Sequence, residues 1–201
     1  MTNNRLQQQI DFILEIDKVK HVLRQTHLPG DHRRENDAEH SWHFAAMALL
    51  LAEYAEGDID VLRVVRMALM HDLVEIDAGD TFAYDVKGNE GKLERERAAA
   101  DRIFNLLPED QAVDLRELWE EFEAQESPES KYAAALDRLQ PILMNFESEG
   151  AAWKKHGITA DRVIERNQHI EAGAPALWVY AENLIREAVK RGYLERGTWE
   201  G

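Results

Sequence analysis

The chain has 201 residues, 44% of them hydrophobic, so it can bury a sizeable core as one domain or as one domain with a helical extension. A formal charge of -15 argues against nucleic-acid polymers and anionic membranes as main partners, because both require a positive surface. The absence of cysteine excludes disulfides and thiolate metal ligands, and the apolar stretch that holds Met47 to Ala52 is far too short to cross a bilayer.

The polar opening Met1-Thr2-Asn3-Asn4-Arg5 carries no secretory signal, and a cytoplasmic protein is expected. Leu6, Ile10, Ile13, Leu14, Val19, Val22 and Leu23 fall at helical spacing with a charged opposite face, which predicts a first helix from Leu6 to Leu23. His27 to Asn36 reads as a loop, basic at Arg33 and Arg34. Asp37 is placed to cap a second helix, Ala38 to Tyr54, with His40 in its first turn and His43 three residues on. Gly57 breaks that helix, and Asp58 or Asp60 caps a third, Val61 to about Ile76, which is apolar on most sides and therefore central.

Thr81 to Gly91, with Phe82, Tyr84, Lys87 and two glycines, reads as a loop beside a site. Charged helices follow over Lys92 to Leu107 and, opened by Pro108, over Glu109 to Gln125. Ser127-Pro128-Glu129 opens another helix, which carries Asp137 among apolar neighbours and a helix-perturbing Pro141. A short segment with Trp153 lies between Gly150 and Gly157, and two last helices cover about Ala160 to Ile170 and Pro175 to Arg191. No alternation is long enough for a strand, so an all-α fold is expected, with a single domain over 1–201, a core over about 6–149 and a C-terminal helical extension over 150–201. Trp42, Trp119, Trp153 and Trp178 suit core or interface positions, while His21, His27, His32, His156 and His169 read as surface residues.

The run His71-Asp72-Leu73-Val74-Glu75-Ile76-Asp77-Ala78-Gly79-Asp80 concentrates metal-capable side chains at the end of the apolar third helix. Successive helical residues point about 100° apart, so His71 and Asp72 can take neighbouring corners of one ion. Glu75 shares the face of His71, beside an ion rather than on it, which is a general-base position. Gly79 can leave the helix in a left-handed cap and set Asp80 on a loop at the mouth of the site. Asp137, a carboxylate among apolar residues, needs a partner or a metal.

The order His40, His71-Asp72, Asp137 resembles that of the HD-domain metal-dependent phosphohydrolases. Arg34-Glu35-Asn36 before Glu39-His40-Ser41, His71-Asp72 with Glu75 and Gly79-Asp80, and Ala135-Leu136-Asp137-Arg138-Leu139 are similar to the bacterial 5′-deoxynucleotidase branch and its eukaryotic relatives, over roughly Leu6 to Glu149. The resemblance implies an HD-domain helical bundle and one divalent transition metal, Mn, Co, Fe, Ni or Zn, held by His40, His71, Asp72 and Asp137. It implies catalytic roles for Glu75 and Asp80, and hydrolysis of (deoxy)nucleoside 5′-monophosphates to nucleoside and phosphate. Dinuclear and oxygenase relatives place further histidines between the His-Asp pair and the last Asp, and this chain has none between His71 and His156. The family's phosphate-binding arginine has its nearest candidate in Arg24, with Arg33 and Arg34 as alternatives, and His43 is a further candidate for contacting substrate. Gln25 follows Arg24 where the relatives place an aromatic. A catalytically inactive metal- and nucleotide-binding regulatory module and a phosphatase for a non-nucleotide ester are the competing readings, and all-helical surfaces with tryptophans suggest a homodimer.

Overall fold

The computed structural model describes residues 4–30 and 33–199; Met1 to Asn3 and His32 lie outside them. Helix α1 (Asn4–Ile16) ends earlier than its apolar spacing predicts, in a 3-10 turn over Asp17–His21. The chain then forms an antiparallel pair, β1 (Leu23–His27) and β2 (Arg34–Asn36), with Leu23 opposite Asn36 and His27 opposite Arg34. This corrects the expectation of a loop without strands. The strands are too short and polar to show alternation, and their pairing satisfies the backbone groups of the segment leading into the next helix.

Helix α2 (Asp37–Leu50) is capped by Asn36 rather than by Asp37. The Asn36 side chain accepts from the Glu39 N–H at 3.0 Å, and the Glu39 carboxylate accepts from the Asn36 N–H at 3.1 Å. Such a reciprocal box stabilises a helix start by about 1 kcal/mol. It also frees Asp37, which turns fully into the interior.

Asp60 caps α3 (Val61–Met70) by accepting from the Leu62 and Arg63 N–H groups. Instead of running on to Ile76, the helix tightens into a 3-10 turn over His71–Val74 before α4 (Glu75–Ala78). Gly79 leaves with φ 75° and ψ 147°: the positive φ suits glycine, but the extended ψ sends the chain straight out toward Asp80 rather than into a left-handed helical cap. The expected loop holds one short helix, α5 (Val86–Asn89). Then come α6 (Lys92–Phe104), α7 (Glu109–Ala124), α8 (Pro128–Glu147), α9 (Ala151–His156), α10 (Ala160–Asn167), α11 (Ile170–Gly173) and α12 (Pro175–Lys190).

The hub is α8, which packs against α2, α3, α7, α11 and α12. Its buried face is built from Tyr132, Leu136 and Leu139 around the small run Ala133-Ala134-Ala135, which lets neighbours approach closely. At Gly173 the approach is closest, for a Cβ there would run into the Lys131 carbonyl. The helix continues through Pro141, which has no N–H to give to the carbonyl of Asp137 one turn earlier.

One apolar cluster joins Phe44, Met67, Leu118 and Leu136 to Trp153, Trp178, Ile185 and Leu194, so the C-terminal helices share the core of α2, α3 and α8. A second cluster, with Phe12, Leu73, Phe104 and Trp119, lies against the 3-10 turn from the other side, and Met70 and Leu115 pack on both. Full burial contributes about 1.5–3 kcal/mol for each large apolar side chain, and the two clusters hold the 3-10 turn between them. Trp119, Trp153 and Trp178 are buried, whereas Trp42 is 70% exposed. No described helix is long and apolar enough to cross a membrane.

Candidate metal centre

His40 comes from the first turn of α2, His71 and Asp72 from the 3-10 turn, and Asp137 from the middle of α8. Asp137 Oδ1 lies 3.1 Å from His40 Nε2 and 3.8 Å from His71 Nε2. The carboxylate of Asp72 lies 3.1 Å from His71 Nε2 and 3.9 Å from His40 Nε2. Bonds of about 2.1 Å at right angles put neighbouring ligand atoms about 3.0 Å apart and opposite ones about 4.2 Å apart. These four separations fall in that range, and His40, His71 and Asp72 offer ligand atoms within 4.8 Å of one another, with Asp137 beside the two imidazoles.

The tautomers agree with this geometry. The backbone carbonyl of Ala68 accepts from His71 Nδ1 at 3.0 Å, which turns His71 Nε2 toward Asp72 and Asp137 as the nitrogen that can offer a lone pair once a metal displaces its proton. The Gln140 carbonyl, at 3.3 Å, likewise takes the His40 Nδ1 proton and aims His40 Nε2 inward. Two imidazole lone pairs facing two carboxylates need a cation between them, and the donor set of nitrogen and oxygen fits a metal ion. The charge balance says the same. Burial pushes the His71 imidazolium down, yet Asp72 and Asp137 outweigh it and raise it to about 10. Without an ion, these acids hold a proton in its place.

Gln140, one turn after Asp137, ties further groups to the site. Its amide donates to Glu35 at 2.7 Å and faces His43 Nδ1 at 3.3 Å, so the half-buried His43 reaches the centre through Gln140 and His40. An acidic trio, Asp37, Asp72 and Glu75, shares Asp72 with this centre. Its positive charge comes from Arg24, whose Nη1 is 2.7 Å from Asp72 and 3.4 Å from Asp37, with Nε 3.7 Å from Glu35. Arg33 pairs instead with Glu39 at 2.5 Å, and Arg34 donates to the carbonyls of Leu23 and Arg24.

A cavity of about 140 Å³ opens onto this centre, lined by Arg24, Asp72, Glu75, Asp80 and Lys92 from the β1 to α6 part of the chain and by Arg138, Asn145, Trp153, Arg166 and Asn167 from α8 to α10. Phe82 and Tyr84 from the loop after α4 close one end.

Residues 16–178 match the family described as HD domain. The human protein named 5′-deoxynucleotidase HDDC2 is 35% identical over 141 residues, which cover 70% of this chain and 68% of that protein. The Bos taurus protein of the same name is 40% identical over 57% of this chain and 55% of its own length, so the match spans little more than half of that relative. A crystal structure of a predicted metal-dependent phosphohydrolase from Magnetospirillum magnetotacticum MS-1 superposes with a TM-score of 0.91 at 56% identity, covering 96% of each chain. The chain belongs to the HD-domain family.

The electrostatics of this HD domain follow from burying so many acids together. Burial pushes the Glu35 carboxyl up to about 7, and burial with Asp72 does the same to Asp37. Burial, Asp72 and Asp37 raise Glu75 well above the usual carboxylate range, and burial raises Asp80. Asp72 and Asp137 stay ionised despite burial, Asp72 through His71 and Arg24 and Asp137 through His40 and His71. A carboxyl with a raised pKa beside an ion suits proton acceptance near neutral pH.

The HD domain also uses residues that the sequence did not single out. Gln140 was legible as a polar residue in an apolar stretch one turn after Asp137, but Glu35 and Asp37 looked like loop and cap residues. His27, His156 and His169 are half-buried rather than on the surface, because β1, α9 and α10 fold against the cavity. His156 stacks on Phe82 with ring centres 4.5 Å apart, and its Nε2 lies 3.3 Å from Gln25 Oε1.

Proposed function

We propose that this HD domain is a metal-dependent phosphomonoesterase that hydrolyses nucleoside 5′-monophosphates, deoxynucleotides among them, using one divalent transition ion (Mn, Co, Fe, Ni or Zn) held by His40, His71, Asp72 and Asp137. The observation that carries it is the pair of imidazole lone pairs set against two ionised carboxylates, with the raised carboxyl of Glu75 beside them. The relatives named 5′-deoxynucleotidase and the metal-dependent phosphohydrolase of the same fold support the substrate and reaction class. A single ion is supported by Arg24, which supplies the cation at the neighbouring acidic trio.

When bound, the ion supplies Lewis acidity toward a phosphoryl oxygen and lowers the pKa of water. Glu75 takes the proton of the attacking water as its oxygen bonds to phosphorus. The bond from phosphorus to the 5′ oxygen breaks, and Asp80, half-buried at the rim and raised by burial, is placed to return a proton to the leaving nucleoside. Arg24 keeps Asp72 ionised and in place. Trp42, Leu49 and Leu50, all exposed on α2, support a homodimer.

The test is phosphate release from a panel of deoxy- and ribonucleoside 5′-monophosphates and simple phosphate esters, with each metal supplied to stripped protein. Turnover of nucleoside monophosphates well above the simple esters is expected. Turnover confined to non-nucleotide esters, or nucleotide binding without phosphate release, would overturn the reading.

A further inference from the structure

The two sides of the cavity treat their cations differently. Arg24 is surrounded by the carboxylates of Asp72, Asp37 and Glu35, and Lys92 lies 3.2 Å from Glu96. On the opposite wall, Arg138 on α8 and Arg166 on α10 both line the cavity. The nearest carboxylate to Arg138 is that of Asp137, with Nε 3.8 Å from Oδ2, too long for a hydrogen bond. None of the described carboxylates pairs with Arg166. In a chain with 39 acidic and 24 basic residues, an arginine without an acid is conspicuous.

Their donors are unused as well. The Nε groups of Arg138 and Arg166 are buried and have no hydrogen-bond partner among the described residues. A buried charge-bearing donor left without an acceptor is destabilising, so a ligand that supplies one is favoured. The field agrees: burial and the neighbouring Arg138 outweigh Tyr84 and Asp137 and push Arg166 below the ordinary arginine value, and burial, Arg138 and Arg166 together push His169 down. Two guanidinium groups that line one cavity beside the proposed metal ligand Asp137, with no described carboxylate within hydrogen-bond distance of either, are arranged for an oxyanion that arrives from outside.

We infer that Arg138 and Arg166 form the anion subsite of this centre, receiving the phosphoryl oxygens of the substrate that face away from the metal, while Arg24 serves as a fixed counter-ion to the acidic wall. The inference rests on the proposed phosphoesterase reading for the identity of the anion as a phosphate monoester. It separates the two roles by acid pairing: Arg24, whose buried Nε also lacks a hydrogen-bond partner, has Nη1 2.7 Å from Asp72 and two further acidic neighbours, whereas no described carboxylate is within hydrogen-bond distance of Arg138 or Arg166. The position of Arg138 directly after Asp137 places the subsite beside the metal, as hydrolysis at phosphorus requires.

The experiment is calorimetric binding of inorganic phosphate to Mn²⁺-loaded protein, with bound metal and melting temperature measured for every variant. Arg166→Gln is expected to weaken phosphate about 10-fold or more, the equivalent of a lost charged hydrogen bond, with metal content unchanged. Arg138→Gln is expected to act in the same direction, Arg166→Lys less strongly, and Arg33→Gln not at all. In the same variants KM for the hydrolysed ester should rise more than kcat falls. Unaltered phosphate affinity in Arg166→Gln, or no phosphate binding by the parent protein, would overturn the inference. Tight phosphate binding lost in Arg166→Gln, in a parent that hydrolyses no ester, would leave the subsite standing and remove the proposed function instead.

Discussion

The two walls of the cavity show opposite solutions to burying charge. On the wall made by β1, α2 and the 3-10 turn, every cation is close to acids: Arg24 lies among Asp72, Asp37 and Glu35, and the imidazoles face Asp72 and Asp137. On the α8–α10 wall, Arg138 and Arg166 keep buried donors without acceptors. The first wall has too much negative charge and calls for a metal; the second has too much positive charge and calls for an anion. A ligand that is itself anionic and bound to a metal satisfies both, which is why a phosphate ester suits this cavity better than a neutral substrate does.

The largest way to break the acidic side is at Glu75. Glu75→Gln keeps the shape but cannot accept a proton, and kcat should fall by about 10²–10⁴ with the bound metal retained; full turnover would take Glu75 out of the reaction. Arg24→Gln attacks the same wall through stability. It leaves three buried carboxylates without their cation, a loss of about 3–5 kcal/mol, and thermal unfolding of the metal-free protein should shift down by roughly 10 °C. An unchanged melting temperature would show that Arg24 is not the counter-ion.

A smaller effect is expected from Gln140→Leu. It removes the acceptor that fixes the His40 tautomer, and metal affinity measured by competition with a chelator should drop about 10–100-fold. The smallest effect is on pH dependence. Glu35 and Asp37 have folded values near 7, above their unfolded ones, and His71, held at about 10 against burial by Asp72 and Asp137, is also raised. All three bind protons more tightly when folded, but in different windows: as pH falls from about 9 to about 7 His71 adds stability, while Glu35 and Asp37 add theirs only below about 7. Metal-free protein should therefore melt higher at the lower of these two values, by a margin that shrinks when metal replaces the proton.

Much of this was legible in the chain. Helical spacing gave α2, α6 to α8 and α12 to within a few residues, and the start but not the end of α3, because each buries an apolar face. The chelating pair His71-Asp72 and the isolated Asp137 were visible because charged groups in apolar surroundings need a reason. The β1–β2 pair was not, since Leu23-Arg24-Gln25-Thr26-His27 has no alternation and its pairing depends on a partner strand seven residues further on. The 3-10 turn at His71 was also hidden, because two apolar clusters clasp it from opposite sides and tertiary packing overrides the helical pattern there. Asp37 illustrates a third case: its position suits a cap, but Asn36 takes that role and releases it inward. Arg166, on a strongly amphipathic helix, is indistinguishable in sequence from a solvated residue until the fold brings it to the same cavity as Arg138.

The most direct test of the central claim is to titrate metal into stripped protein while following both bound ion and phosphate release from a deoxynucleoside 5′-monophosphate, beside Asp72→Ala. The account predicts turnover that rises in proportion to the ion bound and levels off near one per chain, with both lost in Asp72→Ala. Phosphate release that persists in stripped protein, or that survives Asp72→Ala at full rate, would contradict it.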